Sequence, residues 1–159
     1  MKFLMISSFL PSVLNFRGKL LEAIHAQGYE IHIMAPEFAS FPEEQQKLQA
    51  LGYHLYEIPM QRTGTNPLAD LKLLKHIYRQ IRQIQPDYLL SYTIKPVIYG
   101  TLAAWLAKVP HRFALITGLG YAFQNVESGK RSFFKSWCMA YMRKRSNVAT
   151  KSFSKTLMI

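Results

Sequence analysis

SYTIKPVIYGTLAAWLAKVPHRFALITGLGYAF, residues 91–123, reads as the end of a strand, a tight polar loop, a helix, a second strand and a glycine loop. Thr93-Ile94-Lys95-Pro96 leaves the first strand, and Thr117-Gly118-Leu119-Gly120-Tyr121 leaves the second. In an open parallel α/β sheet both loops lie beyond the carboxyl ends of their strands. That edge is where such sheets bind ligands.

Working outward, the same alternation covers the chain. Lys2–Ser7 is an apolar run for a first strand, and the small-x-small cleavage site of a signal peptide is missing after it. Asn15 is expected to cap a helix over Phe16–Gln27, with Gly28 as its stop. Glu30–Ala35 and Tyr53–Ile58 alternate as strands, with a short helix over Pro42–Leu51 between them. Asn66 caps a long helix that opens on Pro67 and ends before Pro86-Asp87. Tyr88–Ser91, a helix over Pro96–Ala107 and a strand over Arg112–Ile116 follow. The pattern predicts an α/β fold, a Rossmann-like parallel sheet with helices on both faces.

Composition narrows the function classes. The chain of 159 residues is 49% apolar, fits one domain, and has one cysteine, Cys138, which excludes an internal disulfide. No apolar run reaches the ~20 residues of a membrane span. The net charge of +11 is uneven: residues 1–107 hold ten Lys/Arg against eight Asp/Glu, residues 108–159 ten against one. That excess suits an anionic membrane or a phosphate-bearing ligand. No nucleic-acid-binding signature accompanies it, so nucleic acid is not expected as a partner. Ser132–Arg145 sets aromatics beside cations, with Lys135, Trp137, Arg143 and Lys144 as the expected membrane contacts. The alternative is a helix that packs its aromatics on the sheet and leaves its cations in water.

The candidate binding residues sit on three loops. After the first strand, Asn15, Phe16, Arg17 and Gly18 open a helix whose free N–H groups and Arg17 would receive an anion. After the fourth, Thr93 and Lys95 precede a helix that Pro96 opens. After the fifth, Gly118 and Gly120 let backbone approach a ligand, flanked by Thr117, Leu119 and Tyr121. The dinucleotide fingerprint and the Walker loop are both missing, which counts against a stand-alone nucleotide-binding domain. The five histidines form no metal pair, and no carboxylates are paired for acid–base work: Asp70 is in a helix and Asp87 precedes its strand.

Asn15-Phe16-Arg17-Gly18, Thr65-Asn66-Pro67, Thr93-Ile94-Lys95-Pro96 and Ile116–Tyr121 together resemble the N-terminal half of family 4 glycosyltransferases over about residues 1–144. The resemblance is to enzymes that build bacterial capsule, O-antigen and lipid-linked glycans. It implies a GT-B fold of two Rossmann-like domains, the first binding the acceptor and the second the nucleotide-sugar. It further implies retention of anomeric configuration, no metal, no cofactor beyond the nucleotide-sugar co-substrate, and a lipid-linked polyprenyl diphosphate glycan as acceptor. The implied location is cytoplasmic, peripheral on the inner face of the cytoplasmic membrane. Many members carry a histidine where Thr117 stands here, so no catalytic side chain is assigned in this half.

The resemblance ends near Arg145. A permitted coding string for Asn147–Ile159 (NVATKSFSKTLMI), read in another frame, spells R-S-H-K-V-F-F-Q-N-P-D-D, the strand with which members continue. The expectation is a frame shift near Arg143–Ser146, a poorly ordered out-of-frame tail over 145–159, and no donor-binding domain. The chain is then expected to be inactive alone, and an uncovered sheet edge favours self-association. A reading from another class is a non-catalytic membrane-binding or docking module that complements a separate donor subunit.

Overall fold

The computed structural model describes residues 1–61 and 67–116, all within the first of two units, Met1–Thr117. Five parallel strands form one sheet in the order β3-β2-β1-β4-β5. They are β1 (Lys2–Ile6), β2 (Glu30–Ala35), β3 (His54–Glu57), β4 (Tyr88–Tyr92) and β5 (His111–Leu115). Parallel strands buried on both faces need near-continuous apolar runs, and FLMI in β1 and IHIMA in β2 supply them. The register sets Phe3 beside Ile31 and Tyr88, and Ile6 beside Met34 and Ser91.

Helices cover both faces. Leu10, Val13 and Leu21 of α1 (Leu10–Ala26) and Leu48 of α2 (Pro42–Ala50) pack on Phe3, Met5, Ile31 and Ile33. On the opposite face, Leu73, Ile77 and Ile81 of α3 (Pro67–Ile84) and Ala103 and Ala104 of α4 (Ile94–Leu106) pack on Leu4, Ile6 and Leu89. At the amino edge, Lys2 N–H donates to Asp87 Oδ2 at 2.8 Å, and Lys2 Nζ donates to the Ile84 carbonyl. Asp87 thus clamps the start of β1 to the start of β4, at the edge opposite the loops of interest.

The strands match their expected places to within a residue or so. Two helix starts do not. The first helix begins at Leu10, not at Phe16, so Asn15, Phe16, Arg17 and Gly18 lie in its body rather than at its N-terminus. Pro11 falls in the first turn, where its missing N–H removes no helical bond. Phe9 takes the cap position with extended backbone, and the Ser7 hydroxyl accepts its N–H at 3.1 Å. The fourth helix begins at Ile94, two residues before Pro96, so Lys95 is helical and not in a loop. The expected cap Asn66, the Thr117–Tyr121 loop, the membrane contacts Lys135, Trp137, Arg143 and Lys144, and the 145–159 tail lie outside the described residues.

Candidate functional site

The strand order reverses between β1 and β4: α1 leaves β1 toward one face and α4 leaves β4 toward the other. The carboxyl edge at this reversal is the crevice in which open α/β sheets take ligands. Ser7, Ser8 and Phe9 enter it from β1; Tyr92, Thr93 and the first turn of α4 enter it from β4.

A buried hydroxyl network joins the two sides. Ser7 Oγ donates to Tyr92 Oη at 2.8 Å, and Ser12 Oγ lies 2.7 Å from the same oxygen. Ser7 and Ser12 both also reach the Phe9 carbonyl, at 3.0 and 2.6 Å. The Arg17 guanidinium lies 5.5 Å from the centre of the Tyr92 ring. Burial raises the Tyr92 phenol above its ordinary pKa, opposed by the Ser12 and Ser7 hydrogen bonds and by Arg17. Tyr92 is therefore a neutral hydrogen-bonding pillar, and Arg17 reaches the crevice from the helix body by lying over it. One Nη of Arg17 donates to the Phe16 carbonyl at 3.1 Å, and its Nε is buried with no hydrogen-bond partner among the described residues.

Thr93 links the loops. Its hydroxyl donates to Ser8 Oγ at 2.8 Å, its N–H to the Leu115 carbonyl, and its carbonyl accepts from Val97. Its backbone stands at φ 71°, ψ 160°, a region essentially reserved for glycine. A threonine held there by bonds from three sides is strain concentrated at the crevice.

Lys95 is committed elsewhere. Its ammonium donates to the Gln61 carbonyl at 2.8 Å and lies 3.7 Å from Asp70 Oδ1, with both side chains largely buried. Burial, then the hydrogen bond to Asp70, raise the Tyr99 phenol well above its ordinary pKa. Lys95 therefore ties α4 to the start of α3 and meets a ligand only by giving up Asp70. Asn15 and Phe16 are exposed on α1, while Arg17 is brought to Tyr92, the residue before Thr93. Ser7, Ser8, Ser12 and Tyr92 belong to the site without standing out in the sequence. Paired serines at the end of one strand and a tyrosine at the end of its neighbour are the signal that marks them.

A second polar cluster sits on the sheet. His32 stacks on His54 at 4.9 Å, and Glu30 Oε1 lies 3.1 and 3.2 Å from their Nε2 atoms. The contact to His32 is off the line of a good hydrogen bond. Burial holds the His32 imidazole down at about 4, against the pull of Glu30. Among the described residues no three His, Cys, Asp or Glu are placed to hold a metal, and no helix is long and apolar enough to cross a membrane.

The family model described as glycosyl transferase 4-like matches residues 9–152. The chain is 31% identical over 109 residues to N,N'-diacetylbacillosaminyl-diphospho-undecaprenol alpha-1,3-N-acetylgalactosaminyltransferase of Campylobacter jejuni, covering 69% of this chain and 28% of that protein. A glycosyltransferase structure from Rickettsia africae superposes with TM-score 0.57 at 18% identity, covering 84% of this chain and 33% of that one. A UDP-GlcNAc 2-epimerase from Methanocaldococcus jannaschii superposes with TM-score 0.56 at 18% identity, covering 82% and 35%. The chain thus spans about a third or less of the length of each. A transferase and an epimerase fit equally well, so these structures identify the Rossmann-like GT-B half-fold and not the reaction.

Proposed function

The chain belongs to the glycosyl transferase 4-like family, and from that premise we propose that it is the acceptor side of a retaining glycosyltransferase acting on a polyprenyl-diphosphate-linked glycan. The observation that carries this reading is the family match over residues 9–152 laid on the β1/β4 crevice. The acceptor diphosphate lies beside Arg17, whose guanidinium suits bidentate contact with phosphate oxygens. Ser8 and Thr93 offer neutral hydroxyls, and Tyr92 holds Arg17 in place. The nucleotide-sugar is held by a second domain of the kind the family carries. The work is done at the cytoplasmic face of the membrane, with the chain bound peripherally.

Calorimetric titration with a short-chain prenyl-diphosphate-linked N-acetylhexosamine tests the site. Arg17→Gln is expected to weaken binding about tenfold or more, the value of a charge-assisted hydrogen bond. Equal affinity of the variant and the parent chain would remove Arg17 from the site. Tighter binding of a nucleotide-sugar than of the prenyl diphosphate would assign the crevice to the donor.

A further inference from the structure

We propose that the Lys95–Asp70 pair makes the crevice selective for an acceptor that carries two phosphates: Asp70 holds Lys95 back until a second phosphate draws it away. Lys95 is the one charged residue of α4. It stands in the first turn, two positions after Thr93, whose hydroxyl bonds Ser8 on the β1 side of the crevice. That turn has no side-chain cap and no acid. Lys95 is thus the cation that the β4 side brings to the edge of the crevice, as Arg17 is that of the β1 side. Its ammonium turns instead to α3.

The hold on it there is loose. An ammonium has three donors, and one goes to the Gln61 carbonyl at 2.8 Å. The contact with Asp70 Oδ1 is 3.7 Å, beyond hydrogen-bond reach, so it is an attraction between charges without a shared proton. Asp70 has two other supports. The Tyr99 hydroxyl donates to it, and it lies in the first turn of α3, where the helix dipole favours an anion. The carboxylate therefore stays satisfied when Lys95 leaves. The flexible four-carbon stem of lysine lets the ammonium swing while α4 stays in place. The exchange still has a cost, because both side chains are less than a fifth exposed, at 19% and 18%, and their attraction is weakly screened.

That cost sets a charge threshold. A sugar linked through one phosphate brings one negative charge, which Arg17 answers by itself. A diphosphate link brings two, and among the described residues Lys95 is the cation placed to meet the second once it gives up Asp70. Asp70 is a positioning residue in this scheme and touches no ligand. The inference rests on the acceptor reading of the crevice and adds how the site tells one linkage from another.

Calorimetric titration of the 159-residue chain with a short-chain prenyl-diphosphate-linked N-acetylhexosamine, and with its monophosphate-linked counterpart, tests it. The parent chain is expected to prefer the diphosphate about tenfold or more, the value of one added charge-assisted hydrogen bond. Lys95→Met should abolish that preference and leave the monophosphate affinity as it was. Asp70→Asn frees the lysine, so it should tighten the monophosphate about threefold or more and narrow the preference from the other side. Arg17→Gln should weaken both ligands alike. A pair that only ties α4 to α3 predicts otherwise: Lys95→Met and Asp70→Asn would then change both affinities by one factor, or neither. Circular dichroism reports whether each variant is folded. Lys95→Met combined with Asp70→Asn leaves no bare carboxylate, and it carries the test if Lys95→Met alone does not fold. A diphosphate preference that survives in the folded Lys95→Met or combined variant overturns the proposal and leaves the acceptor reading standing. Equal affinity of the parent chain for the two ligands does the same. If the parent chain binds neither, the acceptor reading falls and the proposal with it.

Discussion

Thr93 and His32 are two residues whose chemistry runs against their surroundings. Thr93 holds a backbone conformation costing about 1–3 kcal/mol, in return for its bond to Ser8 and its bridge to β5. Thr93→Gly is expected to relieve the strain and lose the hydroxyl, a near cancellation. Thr93→Val keeps the strain and leaves Ser8 without its donor, a loss of about 1–2 kcal/mol. Urea unfolding of the two variants should separate them by more than about 1 kcal/mol. His32 is 3% exposed, and burial keeps its folded pKa near 4 against an ordinary 6.5. Between those values the unfolded chain binds more protons than the folded one, so stability rises with pH across the window. Acidification from pH 7 to pH 5 should cost about 2 kcal/mol through this group. His32→Gln should flatten that dependence in unfolding curves at the two pH values; an equal slope would remove His32 as its source.

Between elements, α4 lies unusually close to the sheet. A Cβ at Gly100 would stand 2.6 Å from Ser91 Oγ and 3.0 Å from Ile6 Cδ1. Gly100→Ala gains about 1 kcal/mol of helix propensity but crowds a packed layer, for a net loss of about 1–2 kcal/mol. Ser91 Oγ has no hydrogen-bond partner among the described residues, so Ser91→Ala should restore most of that loss in the double variant. Gly18 is the internal control: a Cβ there would meet no atom within 4 Å, and Gly18→Ala should stabilise by about 0.5–1 kcal/mol. Thermal unfolding of the four proteins checks both signs. The Lys95–Asp70 pair works between the same layers. Lys95→Met leaves a largely buried carboxylate and should cost about 1–3 kcal/mol. Asp70→Asn, which still accepts from Tyr99, should cost less.

In the described body as a whole, protection should grade from the centre of the sheet outward. Leu4, Met5 and Ile6 of β1 are fully buried, whereas four of the five β5 residues are exposed. Amide exchange should be slowest in β1 and β2 and fastest in β5; equal protection of β5 would mean that another segment covers it. Much of this architecture is legible in the chain itself. Runs such as FLMI and EIHIMA have the length and apolar content of buried strands, and Ile77, Ile81 and Ile84 recur at helical spacing, although Leu68 and Leu71, which share that spacing in the sequence, are exposed. Helix starts are less legible: Pro96 reads as the first residue of its helix and is the third, and Asn15 reads as a cap in a helix that has already begun at Leu10. Local pattern therefore determined the parallel sheet, its two helical layers and the edge that carries the loops, since each of these follows from periodicity along the chain. Only the tertiary structure decided that Arg17 lies over Tyr92, that Ser7 and Ser12 share its hydroxyl, and that Lys95 is spent on Asp70. Those contacts join residues 25 to 85 positions apart, and no periodicity along a chain encodes which distant side chain a folded layer brings within reach.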